Sequence, residues 1–222
     1  MPSGWVVEEV AGSPGAFHAR ALPVPAVRTI WLARPTEAAL VLGSAQPPAA
    51  ADGDACARAG VAVVRRRSGG GAVLVEPGRL LWVDVVVPAG DPLWEADVGR
   101  AFLWLGDAWV ATLASHGVPA QVHRGGLVTT PWSRVVCFGG LGTGEVTDPA
   151  GAKLIGISQR RTREATRFQC AALAAWEPAP LVALLSLTPD ERSAAEQDLA
   201  SRAAGVPMDL EALAVSFVRH LP

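Results

Sequence analysis

Apolar and polar positions change period several times along the chain, and each change marks an element. Short aliphatic or β-branched runs bounded by turn residues predict strands at "RTIWLA" (28–33), "ALVLGS" (39–44), "VAVVRR" (61–66), "AVLVE" (72–76) and the longer "LLWVDVVVP" (80–88), which stops at Pro88. "AADGDACARAG" (50–60) reads as a short helix ended by Gly60. Between Leu93 and His116 the residues Trp94, Val98, Phe102, Leu105, Trp109 and Leu113 recur every three or four positions. That spacing predicts one long helix with a single face on a sheet, stopped by Gly117. "AQVHRGG" (120–126), "RVVCFGG" (134–140), "KLIGISQ" (153–159) and "FQCAALAAW" (168–176) have strand character between Gly, Pro and Asp turns. The tail is helical. Thr188-Pro189-Asp190-Glu191 is a capping box that opens a helix running to near Gly205, and Asp209 to Leu221 repeats apolar residues at helical spacing. Strands crowd the middle while helices lie between and after them, which predicts α+β layers rather than a regular alternation.

Composition narrows the class. With 222 residues and half of them apolar, the chain can bury one sizeable core, so a single domain over 1–222 is expected, with no accessory domain after it. A net charge of −2 provides no field that would attract nucleic acid or an anionic membrane. No basic segment followed by an apolar run opens the chain, and no stretch of about 18 apolar residues occurs, so a cytoplasmic location is expected. Cys56, Cys137 and Cys170 are odd in number, far apart and lack C-x-x-C spacing, which argues against a disulfide framework and a structural metal site. Cysteine chemistry, where present, would use one thiol.

Two segments carry candidate chemistry. "RRRSGGGAV" (Arg65, Arg66, Arg67, Ser68, Gly69, Gly70, Gly71, Ala72, Val73) joins two predicted strands. Its glycines let backbone N–H groups gather around phosphate or carbonyl oxygens, and its arginines add charged donors. It is not a P-loop, since no G-K-[ST] follows and the turn leads into a strand. The second segment is "GAKLIGISQRR" (151–161): among 19 Lys and Arg residues, Lys153 is the sole lysine. Lysine is a compact point charge on a thin stem where arginine is a wide planar fork, so its retention suggests a site that arginine does not fit. Lys153 is therefore expected to face the glycine loop and to stabilise charge on an acyl or phosphoryl oxygen, serving the ligand and not the core. His123 in "VHRGG" is expected to be structural.

Taken together, "RRRSGGGAV", "GAKLIGISQRR" and "VLGSAQ" (41–46) resemble, in order, three motifs of the biotin/lipoate protein ligase family, in the branch of lipoate-protein ligases and cysteine-dependent octanoyltransferases. The resemblance covers roughly residues 40 to 175. It implies a central mixed sheet flanked by helices, as in biotin ligases and class II synthetases. It also implies a pocket for an acyl-adenylate or acyl thioester, with Lys153 on the acyl carbonyl and Gly156, Ser158 and Gln159 beside the glycine loop. The activity implied first is a ligase that uses ATP and Mg2+ to activate lipoate or octanoate. The acyl group then passes to a lysine of a lipoyl carrier domain, such as that of a 2-oxoacid dehydrogenase E2 or a glycine cleavage H protein. The alternative is an octanoyltransferase that needs no cofactor and draws octanoyl from acyl carrier protein through a thioester on Cys137, with Cys170 less favoured. A non-catalytic acyl or acyl-adenylate binding relative is the third reading. The family loop continues A-V-[YF]-H-D, whereas this chain has Val75 at the histidine position, and "FQCAAL" stands where ligases have a histidine-glycine pair.

Overall fold

A computed structural model of the chain describes residues 4–222. Its frame is a mixed seven-stranded sheet built from β1 (Val6–Gly12), β2 (Thr29–Pro35), β6 (Leu80–Pro88), β10 (Ala165–Leu173), β9 (Lys153–Arg161), β8 (Val146–Thr147) and β7 (Gln121–Val122), in that spatial order. β1 and β2 are parallel and the remaining neighbours antiparallel. A second sheet of three strands places β3 (Ala39–Leu42) between β4 (Ala62–Arg65) and β5 (Val73–Val75).

β6 explains the layering. It is buried from Leu80 to Val87, so both of its faces are covered, as its continuous apolar run requires. One face meets α3 (Leu103–Ala114) and α6 (Leu210–Arg219) in the main core, where Trp109 stacks on Phe217 at 3.8 Å between ring centroids. The other face meets the small sheet and α1 (Pro14–Ala19). The remaining helices, α2 (Gly53–Ala59), α4 (Pro178–Val182) and α5 (Pro189–Leu199), pack on the small sheet's outer side. Capping follows the sequence closely. Asp52 and Asp209 accept from Ala55 N and Ala212 N, Gly60 takes the left-handed conformation at φ 66°, and Thr188 with Glu191 forms the reciprocal capping box.

Several expectations need correction. The long helix does not begin at Leu93: a 3₁₀ turn at Arg100–Phe102 leads into α3. Residues 95–98 have helical periodicity but their carbonyls are held elsewhere. Gln159 donates to Val98 O at 2.7 Å, and Arg161 donates to Glu95 O and Ala96 O at 2.6 and 3.0 Å. "RVVCFGG" is not a strand but a turn, 3₁₀ at Cys137–Gly139, because Val135 N and Val136 N both bond Trp132 O. Only Gln121–Val122 of "AQVHRGG" pairs, and α5 ends at Leu199 rather than near Gly205. β1 and α1 were not predicted, since short segments among Gly, Pro and charged residues carry no clear period.

Candidate active site

The glycine loop is fixed by β3, and "VLGSAQ" supplies the means. Arg66 N bonds Leu42 O and Ser44 N bonds Ser68 O, which lays the loop across the end of β3. A side chain on Gly43 would run into the carbonyl of Gly70, so this position requires glycine. Gln46, buried, accepts from Gly43 N at 2.9 Å and donates to Val135 O at 3.1 Å, tying the loop's support to the turn that carries Cys137. From the other side, Ala72 N bonds Val135 O and Cys137 N bonds Ala72 O. A Cβ on Gly71 would lie 2.5 Å from the Val136 backbone, and Gly70 sits at φ 104° with Arg66 and Cys137 against it.

Between the ends of this loop at Arg66 and Val73, the Cys137 turn and the sheet lies a narrow pocket open to solvent. Cross-strand register grades it. Leu80 pairs with Leu173, then Trp82 with Ala171 and Gly156, then Asp84 with Gln169 and Ser158. With Val41, Val73 and Val75 the first rows make an apolar end, while Ser158, Gln169, Arg66 and His18 make a polar one.

Arg66 is buried, donates to Gly71 O at 3.0 Å, and its Nη2 is 3.5 Å from the sulfur of Cys137. Its Nε has no hydrogen-bond partner among the described residues, which suits an incoming anion. Arg65 bonds Ser44 O and is exposed, as is Arg67. None of Arg65, Arg66, Arg67 or Arg160 makes an ion pair among the described residues, whereas Arg20, Arg28, Arg34 and Arg167 all do. Burial and the neighbouring Arg67 and Arg167 guanidiniums push Arg160 below its ordinary value. Cys137 is half-buried and lines the pocket; Cys170 also lines it but is buried, and desolvation pushes its thiol up to about 12. Reactivity requires an accessible, electropositive sulfur, which describes Cys137 and not Cys170.

Lys153 is 2% exposed. Its ammonium pairs with Glu145 at 2.7 Å and donates to Cys137 O at 3.1 Å, over the ring of Phe138. Glu145 in turn accepts from Gly142 N and Ile157 N. Contrary to the expectation from the sequence, the lysine does not face the glycine loop: it is a buried partner of Glu145 behind the turn that carries Cys137, whose carbonyl it bonds, while Gly156 and Ser158, from the same strand, line the pocket. Gln159 points to Val98 and Arg161. Ser68, Ala72 and Val73 cluster at the loop, with Ser68 Oγ accepting from Ser158 at 3.2 Å and donating to Gln169 Oε1 at 3.4 Å. Exposed Gly69 completes the loop. His123 bonds Gly126 O in an exposed loop, apart from this group.

Sequence reasoning missed His18, Trp82 and Gln169. The His18 ring lies 4.7 Å from Trp82, and its Nδ1 faces Gln169 Nε2 at 3.4 Å. Burial first, then the Arg66 and Arg167 charges, hold its imidazole down at about 3. Arg167, paired with buried Asp84, donates to Phe17 O and Arg20 O and so anchors the end of α1 that presents His18. The unbroken apolar context of "LLWVDVVVP" made Asp84 the one available signal.

The sequence matches the Lipoyl protein ligase A/B catalytic domain over residues 18–212. No curated protein matches it significantly. Among solved structures, a bipartite lipoate protein ligase of Thermoplasma acidophilum, described together with its E2 lipoyl domain, aligns with a TM-score of 0.74 and 18% identity, over 99% of this chain and 82% of that one. A putative lipoate protein ligase of the same organism with bound lipoic acid gives 0.71 and 18%, over 99% and 84%. Lipoate-protein ligase A bound with ATP gives 0.69 and 18%, over 99% and 84%. These likenesses establish the fold, a mixed sheet flanked by helices.

Proposed function

We propose, for a chain that belongs to the lipoyl protein ligase A/B catalytic-domain family, that it attaches a lipoyl or octanoyl group to a lysine of a lipoyl carrier domain through an acyl-adenylate. The observation that carries this reading is the graded pocket: an apolar end lined by Val75, Leu80 and Trp82 leads to a polar end where Arg66, from the glycine-rich segment, lies beside Cys137, Ser158 and Gln169. The apolar end suits an alkyl tail. The orphaned Nε of buried Arg66 suits an adenylate phosphate, with Arg65, Arg67 and Arg160 adding charge. ATP supplies the activating phosphoanhydride. Mg2+ would come with its phosphates, since the described residues hold no group of three His, Cys, Asp or Glu suited to a metal. Val75 in place of the family histidine extends the apolar wall. The carrier would be an E2-type lipoyl domain, the partner described with the Thermoplasma ligase, or an H protein. Lys153 holds the Cys137 carbonyl in place, orienting the turn that faces the acyl head.

A second reading is favoured by one contact, Arg66 beside the Cys137 sulfur. The thiolate would attack an octanoyl thioester of acyl carrier protein and release the carrier's thiol. A lysine amine would then attack the enzyme thioester, forming the amide and freeing Cys137. The test is acyl transfer to a lipoyl domain, read by mass, from ATP with Mg2+ plus lipoate or octanoate, and separately from octanoyl carrier protein. Adenylate-dependent transfer that survives Cys137→Ala supports the ligase. Transfer from carrier protein with an acyl adduct on Cys137, lost in Cys137→Ala, supports the transferase. No transfer from either donor refutes both.

A further inference from the structure

On the wall of the pocket a hydrogen-bond chain runs in one direction. Ser158 donates to Ser68, Ser68 donates to Gln169 Oε1, and the Gln169 amide therefore presents its N–H to His18 Nδ1 at 3.4 Å. An imidazole that accepts at Nδ1 while uncharged must carry its hydrogen on Nε2. Nε2 has no hydrogen-bond partner among the described residues, and the ring lines the pocket. Burial, and after it the charges of Arg66 and Arg167, keep the ring neutral, with Asp84 already paired to Arg167 and bonded by Trp82.

A ligand that fills the pocket strips water from an N–H at its polar end, so it must itself supply an acceptor, because desolvating the donor without one is costly. The strong acceptor on a saturated acyl chain is its carbonyl oxygen. The ammonium of Lys153 already has Glu145 and the Cys137 carbonyl as partners. The Nε2–H of His18 has none among the described residues, and Arg66 flanks both His18 and the Cys137 sulfur, so the ring lies at the polar end of the pocket, opposite the apolar end that suits an alkyl tail. We propose that His18 is the neutral hydrogen-bond donor to the acyl carbonyl oxygen, polarising it for attack and binding it more tightly as negative charge develops. A neutral imidazole suits this role, since it donates a hydrogen bond without giving up its proton. The inference rests on the acyl-transfer reading but on neither of its two routes.

The experiment compares wild type, His18→Leu and His18→Gln in carrier-domain acylation with whichever donor the wild type uses, alongside thermal melting and octanoate binding by calorimetry. His18→Leu should lower kcat about 100-fold, the usual effect of removing one such donor, with octanoate binding within a few-fold of wild type. His18→Gln, which keeps an N–H donor, should recover most of the loss. Full activity of His18→Leu in a folded protein overturns the inference and leaves the acyl-transfer reading standing, and so does equal loss in both variants. A wild type inactive with every donor removes the acyl-transfer reading and this one with it. A second measurement does not depend on a folded Leu variant: ¹⁵N spectra of histidine-labelled wild type, with His18 assigned by His18→Gln, should show the Nε2–H tautomer from pH 5 to 8. An Nδ1–H tautomer, or a ring protonating near its ordinary value, overturns the proposal.

Discussion

Lys153 and Glu145 form a pair that water hardly reaches, and removing one member of such a pair costs more than the pair itself contributes. Lys153→Met should therefore destabilise the fold by about 3–5 kcal/mol, by leaving the Glu145 carboxylate buried and unmatched. The double variant Lys153→Met/Glu145→Gln should recover part of that loss by removing the unmatched charge, but not all of it: Gly142 N and Ile157 N bond different carboxylate oxygens, and the amide keeps only one acceptor for the two donors. Urea denaturation of the three proteins measures this, and a Lys153→Met protein as stable as wild type would mean that the ammonium is free for ligand. The sequence singled out the residue by its rarity and left its partner unseen. Glu145 lies in a glycine-rich segment with no period, and only the fold brings it to the lysine. Rarity told where arginine does not fit: a planar guanidinium would have to displace Phe138 or the Cys137 turn.

The glycine loop is an element shaped by its neighbour. Its own sequence declares flexibility, yet β3 and Gln46 fix it. Gly43→Ala should push the Gly70 carbonyl away and disorder the pocket roof, so octanoate binding should fall at least tenfold while far-UV circular dichroism stays unchanged. Gln46→Ala leaves Gly43 N and Val135 O without their partner and should cost about 1–3 kcal/mol of stability. Binding within error of wild type in Gly43→Ala would show that the loop does not roof the site. Much at this scale was legible beforehand. β6, β9, β10, the Thr188 capping box and the loop between β4 and β5 follow from local pattern and turn chemistry. What failed, the helix over 93–102 and the strand over 134–140, failed where distant groups claim the backbone. Gln159 and Arg161 hold the first segment's carbonyls, and Trp132 O takes two N–H groups of the second. His18 was illegible for the same reason, since it enters the pocket only because Arg167, far along the chain, holds the end of α1.

At the scale of the molecule, β6 joins stability to function: its one face is the main core, and its other carries Trp82 and Asp84 toward α1 and the pocket. Titration of His18 is therefore a property of the whole fold. Its value falls from 6.5 to about 3 on folding, so between those pH values the unfolded chain binds a proton that the native one refuses. Stability from this group is fully present above about pH 6.5 and declines as pH falls, by about 1.4 kcal/mol per unit through the middle of the range. Carboxylates act later. Asp91 is held below its ordinary 3.8 by the hydrogen bond from Arg28, and Glu191 below 4.5 by the Thr188 backbone and hydroxyl, so their contribution is present above those values and lost below them. Acid unfolding should thus begin well above the carboxylate range. Measured by denaturant titration at pH 7, 6, 5 and 4, wild type should weaken steadily while His18→Gln stays nearly flat down to about 4.5, where the carboxylates start to act. Parallel curves for the two proteins would place His18 in water, with no native cost to its charge, and would remove its role in the pocket as well.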